Sequence, residues 1–427
     1  MKCKRLIINI LVLTVCVTAT LHAQDKIYSI VTCPGENTET QMNISWAADT
    51  ALTESYVIYT TAKDKKWKRA QRAATEQYMC AVFDSVYSKT PEGKNYYEDA
   101  KFLKCGARLK SLRPKTEYIY KIISGPTENA TESTVHRFKT SGEKQWSAAI
   151  IADFHAYTPL PKRLEAAMGV MNKVHNYDPK MDWVLHLGDV CAWGGSYSFW
   201  KRLYVEQYFN DYMWAGVNGN HDNMTRKYLL TNEFFRNANF YPLNGYEGEL
   251  GVCYFFRYGK ALFVMLNNED MRSEDGLDAA QEWVRKVVQA NPAKYVVVCE
   301  HYQWFFGETG KSSQYGRWSE LFDDLGVDLA LSANNHVYVR TNALYQGKET
   351  DGTKGTVYVQ APSSDNERGV SCPDSLSQNT DIIKKRWTEG GQTVGAMHLS
   401  VTEKRMTLIM MNRNGEVIDE VSIPAKR

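Results

Sequence analysis

The sequence predicts two architectures in tandem: an all-β sandwich over residues 26–142, then an α/β layered domain over 146–427. Three observations lead there. Short alternating segments bounded by turn residues crowd the first stretch. After Ser141-Gly142-Glu143-Lys144, which reads as a linker, apolar strands alternate with amphipathic helices. Five of those strands end on Asp, Asn or His, the way layered α/β folds build a site at their strand tips. A chain of 427 residues, 43% hydrophobic and 23% charged, can fill two cores and is neither disordered nor fibrous.

The first element is a leader. Residues 1–23 read as a secretory signal peptide: Lys2, Lys4 and Arg5, an apolar run from Leu6 to Val17, then small residues ending at Ala23. Lipidation at Cys16, in Leu13-Thr14-Val15-Cys16, fits less well because Val15 is bulky where such sites are small. Either way a secreted or periplasmic location is expected. The apolar run is short for a span, and no later stretch approaches about 18 uncharged apolar residues, so no stable membrane insertion is expected. The leader holds three of the 51 Lys+Arg and none of the 49 Asp+Glu. The remaining chain is near neutral, which gives no electrostatic case for nucleic acid or an anionic membrane as partner. Cys33, Cys80, Cys105, Cys191, Cys253, Cys299 and Cys372 follow the leader. That odd, scattered set is no disulfide framework, though it leaves room for one bridge among Cys33, Cys80 and Cys105.

Within the sandwich, Met42-Asn43-Ile44-Ser45-Trp46 and Tyr56-Val57-Ile58-Tyr59 supply early strands, with Trp46 a core aromatic. Leu112, Pro114, Thr116, Tyr118 and Tyr120 resemble the turn and tyrosine corner of fibronectin type III-like domains, where a Tyr hydroxyl bonds back to the preceding turn. His136 to Thr140 closes the domain. Beyond the linker come strands at Trp146–Asp153, Trp183–Asp189, Met213–Asn220, Tyr295–His301 and Val327–His336. Helices are expected at Leu160–His175 and Asp278–Ala290. The stretch His398–Ile423 alternates and turns at Asn414-Gly415, a hairpin signal.

The strand tips carry Asp153-Phe154-His155, Gly188-Asp189, Gly219-Asn220-His221-Asp222, His301 and Asn334-Asn335-His336. Of nine histidines, four fall in these clusters. The series resembles the calcineurin-like metallophosphoesterases, with their DxH, GDxx, GNHD/E, lone His and GHxH motifs. The preceding sandwich and the His336-Val337-Tyr338-Val339-Arg340 tail are most similar to the purple acid phosphatase branch. The resemblance implies an α/β/β/α two-sheet core and an exported enzyme that hydrolyses small phosphate monoesters through a metal-activated hydroxide. It implies two divalent or transition metal ions, drawn from Fe, Mn and Zn. By the resemblance, Asp153, His155, Asp189 and His336 hold the first; Asp189, as bridge, with Asn220, His301 and Asn334, holds the second. His221 stabilises the transition state and donates a proton, with Asp222 orienting its ring.

Two residues depart from the branch. Its GDxxY tyrosinate is missing: Gly188-Asp189-Val190-Cys191-Ala192 ends on Ala192 and is followed by Trp193, and indole cannot ligate iron. The first His of GHxH is replaced by Asn334, whose amide oxygen is a weaker transition-metal ligand. Two alternatives therefore stand beside monoester hydrolysis: a phosphodiesterase of nucleotide or lipid headgroup diesters, and a non-catalytic binding protein with a weakened second metal site. His186, Cys191 and Cys299 read as packed residues, His175 as a surface residue, and His136 and His398 as without role. Tyr157 and Trp193 either line the pocket or pack. Trp304, Phe305 and Phe306 either form an aromatic rim or pack.

Overall fold

The computed structural model describes residues 26–52, 54–84, 98–126, 129–224, 231–305, 313–365, 381–389 and 393–426. The expected leader, Phe306 and Cys372 fall outside the described residues.

The two predicted architectures share one sheet. Ten strands run in the order Val417–Pro424, Arg405–Asn412, Gly395–Val401, Trp146–Ile151, Trp183–His186, Met213–Gly216, Ile27–Pro34, Met42–Ala48, Glu98–Leu109 and Thr75–Asp84. The first six belong to the α/β region and the last four to the N-terminal one. They join where Ile27–Pro34 pairs in parallel with Met213–Gly216, Thr32 opposite Met213. That pairing gives the exposed edge of each sheet a partner. The expected linker is likewise no loose tether: Ser141 is buried, its amide bonds the Thr38 carbonyl at 3.0 Å, and its hydroxyl accepts from Thr38 at 2.7 Å.

A five-stranded sheet completes the N-terminal region: Gln71–Arg72, Ser55–Thr61, Glu117–Ser124 and Thr131–Glu132, with His136–Lys139 also on Glu117–Ser124. Trp46 sits in the core as expected, and its indole donates to Ser55 Oγ at 2.7 Å. The predicted corner bond is present, the Arg113 amide donating to the Tyr118 hydroxyl at 2.9 Å. Cys33, Cys80 and Cys105 are buried and free, so no bridge forms among them.

The second sheet of the α/β region holds Tyr254–Tyr258, Ala261–Met265, Tyr295–Cys299, Leu329–Ser332, Thr356–Gln360, Tyr338–Tyr345 and Lys348–Glu349, with Ile383–Trp387 also on Tyr338–Tyr345. Its central strands are covered on both faces, which explains their unbroken apolar runs. Tyr295, Val297 and Cys299 join the core between the sheets, whereas Val296 and Val298 face the helices Glu274–Ala290 and Ser313–Leu325. Each such valine contributes about 1.5–3 kcal/mol by burial. The helix Lys162–Tyr177 covers the first sheet through Leu164, Ala167, Met171 and Val174. The layers are therefore α/β/β/α. No helix among the described residues is long and apolar enough to cross a membrane.

Candidate metal centre

The strands end two to four residues before the polar tips that sequence periodicity includes in them. Trp146–Ile151 releases the chain before Asp153, and Trp183–His186 before Asp189. Past those ends the backbone turns into the left-handed region at Asp153 (φ 50°), His155 (43°), Asp189 (52°), Asn334 (72°) and His336 (62°). Such conformations cost non-glycine residues on the order of 1–3 kcal/mol each and concentrate at functional sites. Gly188 (φ 90°) is needed twice over, since a Cβ there would stand 2.5 Å from His301 Nδ1.

These turns bring the tips together. Asp189 is central: its Oδ2 lies 3.3 Å from both His155 Nε2 and His301 Nε2, and its Oδ1 accepts the His221 amide at 2.8 Å. His336 Nε2 lies 3.6 Å from Asp153 Oδ1. Asn220 Oδ1 meets His301 Nε2 at 3.2 Å. Ligand atoms converge to within 4.8 Å in three overlapping groups: Asp153, His155 and His336; His155, Asp189 and His221; Asp153, Asp189 and His301. Every one of these residues is buried.

Electrostatics follow from that packing. Burial pushes the Asp153 carboxyl up to about 7, with His301 pulling it down and Asp189 pushing it further up. Burial disfavours the Asp189 anion too, but His301 and His221 hold it well below the usual carboxylate range. Burial by itself lowers His301, and Asp189 overrides it, lifting the imidazole to about 10. A site that gathers protons this strongly on its ligands binds a cation by displacing them. Asp153 Oδ1 is buried without a hydrogen-bond partner among the described residues. An orphaned carboxylate oxygen amid imidazoles fits a transition-metal centre.

The imidazoles are aimed by backbone carbonyls. His301 Nδ1 donates to the Leu187 carbonyl and His221 Nδ1 to the Ala192 carbonyl, each at 2.7 Å. This corrects the expected orienting role of Asp222. Its carboxylate instead accepts the amides of Cys191 and Gly219, both at 3.0 Å, and so braces the loops on either side of the centre. A carboxylate with two backbone donors within reach satisfies them first.

Asn334 is only half-buried. Its amide nitrogen donates to Gln303 Oε1 at 2.6 Å, and its backbone N–H to Asp153 Oδ2 at 3.2 Å. Trp193 packs its ring 5.3 Å from the His221 ring. Trp304 and Phe305 are buried against Tyr358, so neither forms a rim. His186 is a packed strand residue as expected. His175 is half-buried, its Nδ1 3.2 Å from the Tyr212 hydroxyl, rather than a surface residue.

Sequence reasoning missed one acid. Asp365 is buried 3.0 Å from His155 Nδ1. It follows the strand Thr356–Gln360 and is a sixth polar strand tip, found by the same rule had that strand been recognised.

Residues 147–338 match the family model of calcineurin-like phosphoesterases, and residues 28–140 that of the purple acid phosphatase N-terminal domain. A solved purple acid phosphatase from yellow lupin seeds is similar with a TM-score of 0.74 and 17% identity, covering 93% of this chain and 74% of that one. The structure of PhoD is similar with a TM-score of 0.57 and 12% identity, covering 92% and 88%. At these identities the likeness is one of fold. No curated protein matches the chain in sequence.

Proposed function

The chain is a calcineurin-like phosphoesterase with a purple acid phosphatase N-terminal domain, a metal-dependent hydrolase, and from that premise we propose that it is an exported dinuclear enzyme acting on small phosphate monoesters. The observation that carries the dinuclear reading is the place of Asp189, one carboxylate oxygen 3.3 Å from an imidazole on either side. Asp153, His155, Asp189 and His336 would hold one cation; Asp189, Asn220, His301 and Asn334 the other. Two cations so held lower the pKa of water and neutralise phosphoryl oxygens.

The chain's own residues supply the rest. The Ala192 carbonyl fixes the proton on His221 Nδ1, which turns Nε2 toward the centre. There a protonated ring would donate to the departing ester oxygen. Asp222 keeps the loops carrying Asp189 and Asn220 in register. Export rests on residues 1–23, whose charged, apolar and small segments follow signal-peptide order.

One observation favours a second reading, a binding protein with a weakened second site: position 334 offers an amide oxygen, a weaker transition-metal ligand than imidazole. Metal analysis of purified protein, alongside turnover of an aryl phosphate monoester and a diester, separates the cases. Two metals with monoester turnover support the proposal. Turnover confined to diesters replaces it with the phosphodiesterase, and one metal without turnover replaces it with the binding protein.

A further inference from the structure

We propose that Asp365 is a positioning residue for His155: a buried carboxylate that fixes the ring's tautomer and strengthens its Nε2 as a donor to a cation at the first site. The inference rests on the metal-centre reading above. Asp365 has no exposed surface, and its Oδ2 lies 3.0 Å from His155 Nδ1. A carboxylate and a carbonyl only accept, and the Asp153 carbonyl also meets Nδ1, at 2.8 Å. The proton therefore sits on Nδ1, and the lone pair on Nε2, the atom that faces Asp189. The Asp153 carbonyl and the Asp365 carboxylate hold that tautomer together. What Asp365 adds is negative charge behind the ring, which raises ligand basicity.

The position is built. Asp365 follows a strand of the second sheet, yet its segment is sewn to the tip of Trp146–Ile151 in the first. The Ser364 amide donates to the Ala152 carbonyl at 3.0 Å, and the Ser363 hydroxyl to the Asp153 carbonyl at 2.9 Å. Ser363 Oγ in turn accepts the Asp365 amide at 3.1 Å. An isolated buried carboxylate would be costly, but Arg163 on the covering helix brings Nε to 4.0 Å from Oδ2. Asp153, His155 and Asp365 are thus tied together across the two sheets.

Two substitutions in the full chain test this. Asp365→Asn keeps the shape and an acceptor but loses the charge; Asp365→Ala loses both. Calorimetric titration of Zn²⁺ into metal-stripped protein should show the tighter class of site weakened about 10–100-fold in Asp365→Ala and by less in Asp365→Asn. In the metal-free state, ¹⁵N NMR should show the Nδ1–H tautomer of His155 eroded in Asp365→Ala and kept in Asp365→Asn. Wild-type Zn²⁺ affinity in a folded Asp365→Ala protein would overturn the proposal. If that variant does not fold, unchanged affinity in Asp365→Asn overturns the role of charge. Should the wild type bind no metal, the metal-centre reading fails by itself, while the tautomer comparison still decides whether Asp365 controls His155.

Discussion

Replacing Asp189 by Asn is the sharpest perturbation of the centre, because it is nearly isosteric and removes one charge. The side chain retains an oxygen for the His221 amide, so the loop should keep its shape. Across the 3.3 Å between Asp189 Oδ2 and His301 Nε2, opposite unit charges attract by about 5 kcal/mol at an effective dielectric near 20. That is enough to move a pKa by roughly 3 to 4, which matches the rise of His301 from 6.5 to about 10 against its burial. In metal-free Asp189→Asn protein, NMR titration should find His301 back near or below its ordinary value. The sign for stability follows: a folded pKa raised above the unfolded one stabilises below about pH 6.5, and this is lost as pH rises toward 10. Denaturation of the metal-free wild type should therefore show that alkaline decline, and the variant should lack it. Hydrolysis of an aryl phosphate should fall by several orders of magnitude with the second metal lost. A folded Asp189→Asn enzyme with near-normal turnover would refute the dinuclear reasoning.

Asn334→His should tighten the second metal and raise activity at limiting Mn²⁺, with little change in the maximum rate; a fall in both affinity and turnover means that the Gln303-bound amide is itself an optimised contact. Because no tyrosine stands in Gly188-Asp189-Val190-Cys191-Ala192 or at Trp193 after it, iron-loaded protein should be colourless or faintly coloured, and a strong visible charge-transfer band removed by substituting a nearby Tyr would reassign the ligand set. Burial holds His186 neutral, lowered to about 3, so the folded state cannot share the proton that the unfolded imidazole takes below about pH 6.5. Urea denaturation should show about 2 kcal/mol lost from this group between pH 6.5 and 5, and His186→Gln should flatten that part of the profile.

Several features were legible in the residues alone. The apolar run Tyr295–Cys299, the tyrosine corner at Tyr118 and the turn at Gly415 are local patterns, and local sterics and burial fix them. Asp153, His155, Asp189, Asn220, His221, His301 and His336 stood out because polar tips on apolar strands make sense only if the strands align and their ends converge. What periodicity cannot report is which strand edges meet. The pairing of Thr32 with Met213, which merges the N-terminal region with the α/β core into one sheet, joins residues far apart in the chain through backbone groups that every residue carries. For the same reason Asp222 was misassigned and Asp365 overlooked. Whether a carboxylate serves a ring or two amides depends on which backbone N–H groups the fold leaves beside it, and the chain alone does not place Asp365 210 residues away against His155. Residue chemistry picked out the candidate ligands; tertiary contact distributed the protons among them, because a hydrogen bond is decided within about 3 Å and sequence carries no distance at that scale.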